Sequence, residues 1–226
     1  PLYFVLPFML QSTVWRTLMR PFFNLFSHLE IVGTENITQL TAPAVFAPNH
    51  SNEVDSVLLP LALPFWSRFS PMFYIVREPK FYSDPIFSWR RHLYSIAPLF
   101  AVGAFSIQSG VRNYALSLEH HVQILRDGGS VCIFPEGGFT KTGEIGPAHG
   151  GVGYLAHAAE CAIVPVLIDG TYKFTFAAMF QGKTRIKITF LEPIFVNQLL
   201  GARVHVEDYR AVGEHVLDAL RNGRRM

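Results

Sequence analysis

Short apolar runs alternate with polar, glycine- or proline-bearing breaks along most of this chain. Four of the runs are continuous: Ala44-Val45-Phe46-Ala47, Met72-Phe73-Tyr74-Ile75-Val76, Val131-Cys132-Ile133-Phe134 and Ala162 to Leu167. Runs of this length, without alternation and bounded by Pro, Gly or polar residues, predict strands buried on both faces. Between them the pattern changes period. Val54 to Leu63 reads as a helix that Pro64 stops, and Gly151 to Ala159 as another. Val111, Tyr114, Ala115, Leu118, Val122 and Leu125 recur at helical spacing until Gly128-Gly129 ends the element. Three shorter pieces fill the pattern: Glu30 to Gly33 as strand and turn, Ser95 to Ser106 as a stretch that contains a strand with Gly103 in it, and Arg185 to Phe190 as an alternating strand. The last helix opens on Glu207 and Asp208, buries Tyr209, Val212, Val216 and Leu220, and closes on Arg221, Arg224 and Arg225. Acid first and base last is the favourable order against the helix dipole. Strands alternating with helices from residue 44 to 190 predict an α/β domain with a central, mainly parallel sheet flanked by helices.

The N-terminal stretch, residues 1–29, breaks this pattern. It is apolar and aromatic, but Pro7, Arg16, Arg20 and Pro21 interrupt it, so it falls short of a bilayer span. It lacks the basic start and small-residue cleavage site of a secretory signal. Trp15, Phe22, Phe23 and Phe26 with Arg16 and Arg20 predict a membrane-contact helix or helix pair, aromatics at headgroup depth and arginines towards lipid phosphate. The competing expectation is a helix packed on the core. Residues 1–29 are therefore read as a membrane-associating segment and 30–226 as the globular domain. Pro85 to Leu93, with Trp89, Arg90, Arg91 and His92, predicts a second amphipathic surface helix. The first residue is proline rather than methionine, which implies further residues upstream.

Composition narrows the classes. Half of the chain is hydrophobic and 16% is charged, and Phe alone contributes 20 residues. That is greasier than a typical soluble domain yet too interrupted for a polytopic membrane protein. A net charge of +2 gives no footprint for nucleic acid. Cys132 and Cys161 sit inside or beside apolar runs and read as buried thiols of a reducing compartment, so the expected location is a membrane surface facing the cytoplasm. No metal-type cysteine spacing occurs, and neither a metal nor an organic cofactor is expected.

The chemistry concentrates in Asn49-His50-Ser51-Asn52-Glu53-Val54-Asp55, a polar notch between two apolar segments. Residues five apart do not share a helix face. If the helix starts near Val54, His50 lies in the preceding loop and Asp55 in the first turn, able to reach back to one ring nitrogen. A histidine held by a carboxylate is a general base that works near neutral pH. The bland alternative is a loop histidine bound to a capping aspartate. Loops at the carboxyl ends of strands in such a sheet gather into one crevice, which brings Glu136 towards His50. Gly137 and Gly138 let the backbone approach a ligand closely.

Asn49-His50 with Asp55, then Phe134-Pro135-Glu136-Gly137, then Val164-Pro165-Val166 together resemble the glycerolipid acyltransferase family, whose best-known members are the 1-acylglycerol-3-phosphate acyltransferases. Gly103 to Ile107 is similar to that family's second motif and Tyr74 to Glu78 to its intervening strand. The resemblance covers roughly residues 40–195. It implies that His50 takes a proton from an acceptor hydroxyl while Asp55 holds the imidazole, and that the hydroxyl attacks the thioester of acyl-CoA or acyl-carrier protein without an acyl-enzyme. Asn49 and Asn52 would orient the loop or support the oxyanion, together with backbone N–H groups of the helix start or of Gly137-Gly138. Glu136, Gly137, Gly138, Phe139, Lys141 and Arg112 would line the acceptor site. The chain departs from the family where phosphate is gripped: Ser109, or Gln108, and Phe139 stand where arginines are usual, and His149 where a lysine is. Either Lys141 and Arg112 substitute, or the acceptor is no phosphomonoester but a lysophospholipid, another lipid alcohol or amine, or a glycolipid. The alternatives are a catalytically inactive lipid- or acyl-carrier-binding domain, and a hydrolase, which the absence of a Gly-x-Ser-x-Gly elbow disfavours.

Overall fold

The structure is a computed structural model and describes residues 2–40, 43–78, 80–81, 95–107, 113–201 and 203–225. The strands are β1 (Glu30–Val32), β2 (Ala44–Pro48), β3 (Met72–Val76), β4 (Ala104–Ser106), β5 (Ser130–Cys132), β6 (Ala162–Asp169), β7 (Lys187–Phe190) and β8 (Ile194–Phe195). They form one sheet in the order β1-β7-β6-β2-β5-β3-β4, with β8 also paired to β6. β2, β3, β4, β5 and β6 run parallel. β7 and β8 are antiparallel to β6 and share one of its edges, at Val166–Asp169 and Ala162–Ile163. A mainly parallel sheet with antiparallel additions at one side is the result. Gly170 makes the reversal after β6: its φ is +88°, and a Cβ there would lie 1.8 Å from the Arg185 carbonyl oxygen.

The helices are α1 (Leu2–Leu10), α2 (Arg20–Ser27), α3 (Glu35–Thr38), α4 (Asp55–Ala62), α5 (Ile96–Ala101), α6 (Tyr114–Ser117), α7 (Glu119–Arg126), α8 (Gly151–Ala158), α9 (Phe176–Phe180) and α10 (Val206–Gly223), with a π-helical stretch Gln11–Met19 joining α1 to α2. β2 shows why they lie on both faces. Its five residues are all buried. Ala44 and Phe46 point into a core shared with Phe23, Leu58 and Leu59, whereas Val45 and Ala47 point into one shared with Leu125, Leu155 and Val216. Side chains alternate across a strand, so each face needs its own apolar cover.

Two expected elements take other forms. The strand expected within Ser95 to Ser106 is β4, but it excludes Gly103: α5 precedes it, and Gly103 at φ +81° turns the chain between them. The helix expected from Val111 begins at Tyr114, because the Asn113 side chain accepts from the Ala115 and Leu116 N–H groups, and it divides at Leu118. The amphipathic helix expected at 85–93 lies outside the described residues.

The N-terminal segment packs inward more than its composition implies. Phe23 is fully buried, and Trp15, Met19, Phe22 and Phe26 pack against the core it belongs to. Arg16 is also buried: it donates to the Pro60 carbonyl at 3.3 Å, to the Phe65 carbonyl and to Ser70 Oγ. Burial, and then the charge of Arg20, pull its pKa down to about 10. Arg16 thus ties the segment to α4 and the α4–β3 connection, and Phe23 ties it to the core, so neither faces lipid; Trp15, Arg20 and Phe22 are half-buried. Among the described residues no helix is long and apolar enough to cross a membrane.

Candidate active site

β2 ends at Pro48, which has no N–H to donate, and the next side chain continues the pairing. Asn49, 1% exposed, donates to the Ile168 carbonyl at 2.9 Å and accepts from the Ile168 N–H at 2.7 Å. The chain leaves the sheet from this fixed point. His50 follows in the loop, and Asp55 opens α4. His50 Nδ1 lies 3.1 Å from Asp55 Oδ2. The same oxygen accepts the Ser51 N–H at 2.6 Å and the Asn52 N–H at 2.8 Å, and the carboxylate is fully buried. A carboxylate with this many donors holds its position. With Nδ1–H donating to Asp55, the Nε2 lone pair is left to take a proton. Asn52 Oδ1 accepts the Val54 N–H at 3.2 Å and closes the turn.

The ring is packed between aromatics. Phe134 stacks on it at 3.6 Å with planes 14° apart, and Phe139 lies at 4.2 Å, tilted by 47°. The backbone is tied as well. Glu136 Oε1 accepts the His50 N–H at 2.9 Å, and the Thr140 N–H donates to the His50 carbonyl at 2.8 Å. Glu136 Oε2 accepts the Gly146 N–H at 2.8 Å. Glu136 is therefore a brace between two loops, with both oxygens committed, rather than a group free to meet a ligand. Gly137 is required where it stands: φ is +69°, and a Cβ would lie 2.7 Å from the His149 ring.

His50, Asp55, Glu136, Gly137 and Phe139 thus converge at the carboxyl ends of β2 and β5. Asn49 is spent on the sheet through both its amide groups, whereas Asn52 commits only its Oδ1 to the turn, so both orient the loop. Lys141 is exposed in the following loop, where its carbonyl accepts the Tyr172 hydroxyl at 2.9 Å. Arg112, like Gln108 and Ser109, lies outside the described residues. Arg77 was not singled out by sequence. It leaves the end of β3, donates to the Gly137 carbonyl at 3.1 Å and stacks over Phe81 at 4.5 Å. Cys132 is pushed well above its ordinary pKa by burial and then by the Asp55 charge, and Cys161 up to about 12, mainly by burial. Neither is a thiolate near neutral pH, so neither suits covalent catalysis. Among the described residues no group of three His, Cys, Asp or Glu side chains is placed to hold a metal ion.

A buried-carboxylate-held histidine at the carboxyl end of a parallel sheet defines a site for acid–base chemistry. The chain belongs to the acyltransferase family, whose profile matches residues 28–169. It is 28% identical over 148 residues to the chloroplastic 1-acyl-sn-glycerol-3-phosphate acyltransferase LPAT1 of Arabidopsis thaliana, covering 66% of this chain and 38% of that protein. It is 30% identical over 141 residues to a probable 1-acyl-sn-glycerol-3-phosphate acyltransferase of Mycoplasma pneumoniae, covering 62% of this chain and 49% of that one. The chain thus spans less than half the length of these relatives. Its fold resembles the crystal structure of the Thermotoga maritima 1-acyl-sn-glycerophosphate acyltransferase PlsC, with a TM-score of 0.61 and 20% identity over 95% of this chain and 78% of that one.

Proposed function

We propose that the chain is a membrane-surface O-acyltransferase that moves a fatty acyl group from acyl-CoA or acyl-carrier protein to the hydroxyl of a lysophospholipid. The observation that carries this reading is the His50–Asp55 bond in a loop clamped by Glu136. His50 Nε2 takes the acceptor hydroxyl proton as the oxygen attacks the thioester carbonyl. Asp55 stabilises the imidazolium that forms. Collapse of the tetrahedral intermediate breaks the C–S bond, and the imidazolium proton passes to the thiolate. The Ser51 and Asn52 N–H groups serve Asp55 and the Gly137 N–H serves the Phe134 carbonyl; the donors we assign to the oxyanion are the Gly138 N–H and the Asn52 side-chain amide. Base catalysis of this kind contributes about a hundredfold to ten-thousandfold, and alignment of the two substrates adds to it.

The acceptor class proposed here is read from the described groups around His50. Phe139, 49% exposed, offers an apolar wall where the family resemblance leads one to expect a guanidinium. Among the described residues, Arg77 supplies an exposed guanidinium beside Gly137. One guanidinium matches the single charge of a phosphodiester better than the double charge of a phosphomonoester. The favoured acceptor is accordingly a phosphodiester lysophospholipid. A second reading, lysophosphatidic acid, is favoured by the names of the relatives. Turnover by purified protein of lysophosphatidic acid against lysophosphatidylglycerol and lysophosphatidylethanolamine decides between them; turnover of lysophosphatidic acid alone sinks the first. Loss of all transfer in His50→Ala with the fold retained separates both from a non-catalytic binding domain.

For membrane contact we add exposed apolar residues to the half-buried Trp15, Arg20 and Phe22. Leu25 is 70% and Phe180 56% exposed, and Phe180 packs edge-on against Phe22 and Phe26 of α2. Leu18 continues this apolar face at 66%. Replacing Leu25 and Phe180 together by Ser should weaken co-sedimentation with phospholipid vesicles; unchanged binding would count against the face.

A further inference from the structure

We infer that Arg221 and Glu214 of α10 are positioning residues for the His50 loop, acting through Gly146 and Glu136. The kinetic part rests on the acyltransferase reading above. α10 lies beyond the segment that matches the family profile, residues 28–169, and its apolar face is explained by the core. Its polar edge is not. Arg221 Nη2 donates to the Gly146 carbonyl at 2.6 Å, and the Gly146 N–H donates to Glu136 Oε2 at 2.8 Å. Glu136 Oε1 in turn holds the His50 N–H at 2.9 Å. Gly146 is thus gripped on both sides, by a cation on its carbonyl and by a carboxylate on its N–H.

A second link runs in parallel. Glu214 Oε1 accepts the Ala148 N–H at 2.7 Å, two residues further along the same loop, and the His149 N–H donates to the Pro135 carbonyl at 2.8 Å. Arg221 itself is held by Asp218 at 2.6 Å and Glu214 at 3.5 Å. The loop is therefore suspended between α10 and the Glu136 turn by charge-assisted bonds, which are shorter and stronger than neutral ones. Surface ion pairs on their own contribute little to stability. What this set does is fix where the Glu136 carboxylate stands, and with it the backbone of His50. A displacement of about an ångström at a catalytic base can cost on the order of a hundredfold in rate.

The test is a double-mutant cycle on the full chain. Arg221→Ala should lower kcat by about tenfold with KM for both substrates within about twofold, and Arg221→Lys, which keeps the charge, should recover part of it. In a Glu136→Gln background Arg221→Ala should cause no further fall, because the link it acts through is already cut. Glu214→Gln serves as the second variant if Arg221→Ala fails to fold. Multiplicative losses in the cycle, or a KM effect with kcat unchanged, overturn the inference. An arm independent of turnover follows the backbone amide resonances of His50 and Gly146. They should shift in Arg221→Ala and stay in place in Arg210→Ala, an exposed position on the same helix. Unmoved amides overturn the relay; a wild type without transfer activity but with shifted amides overturns only the acyltransferase reading.

Discussion

Asp55 is useful because it is short of freedom. One of its oxygens meets the His50 ring and two backbone N–H groups, and the other is buried without a partner. Asp55→Asn keeps the shape but puts an amide where only an acceptor works. It should lower kcat on the order of a thousandfold while far-UV dichroism stays unchanged; a loss under tenfold would mean that the carboxylate does not hold the working tautomer. Phe139 is the matching position on the acceptor side. Phe139→Arg should raise kcat/KM for lysophosphatidic acid relative to lysophosphatidylglycerol by roughly tenfold, through a second charge-assisted phosphate contact. An unchanged ratio would leave headgroup choice to Arg77 or to residues further out. The His50–Asp55 pair was legible in sequence because loop and helix start are neighbours along the chain. Arg77, Gly146 and Arg221 were not, since their meeting points depend on which strands and helices end beside one another.

The N-terminal segment shows how composition misleads about an element. Aromatics and arginines in one stretch read as an interfacial helix, but a guanidinium can also satisfy inward carbonyls. Arg16 does so, and Gln11 gives its amide to the Met72 backbone at 2.7 and 2.8 Å. Arg16→Met should destabilise the protein by about 2–4 kcal/mol, because the Pro60 and Phe65 carbonyls lose their donor. Urea unfolding checks this, and a change under about 0.5 kcal/mol would return Arg16 to the surface. The central strands were legible, being continuous apolar runs. Within Ser95 to Ser106 the strand was legible but its start and the helix before it were not, because the same composition supports a helix, and only the φ of Gly103 and the edge place of β4 decide the division.

Across the whole molecule, His121 ties stability to pH. It is 1% exposed on α7, between the sheet and His120, with neither ring nitrogen in a hydrogen bond of good geometry. Burial, and then the proximity of His120, pull its pKa down to about 4, against a smaller opposing influence from the backbone of Tyr74 and Phe105. In the unfolded chain it titrates near its ordinary 6.5. Between these values the unfolded state binds the extra proton, so stability rises with pH. The contribution is complete above 6.5 and is lost as pH falls towards 4. Wild type should lose about 2–3 kcal/mol between pH 7 and pH 4.5 from this group, and His121→Leu should remove that part of the slope. Parallel slopes for the two proteins in urea unfolding would show that His121 is protonated without cost.

The Asn49 amide acts as a peptide group that is not part of the backbone. The Ile168 N–H is held by it alone on that side, so this hydrogen can exchange with solvent only when the start of the His50 loop lets go. Its exchange rate is therefore a clock for loop opening that runs without substrate, donor or turnover. Asn49→Ala should speed exchange at Ile168 by a hundredfold or so while Val164, deeper in the β2–β6 ladder, keeps its rate. Any ligand that closes the crevice over His50 would slow the same clock, and an acceptor could be recognised by that slowing before any product is found.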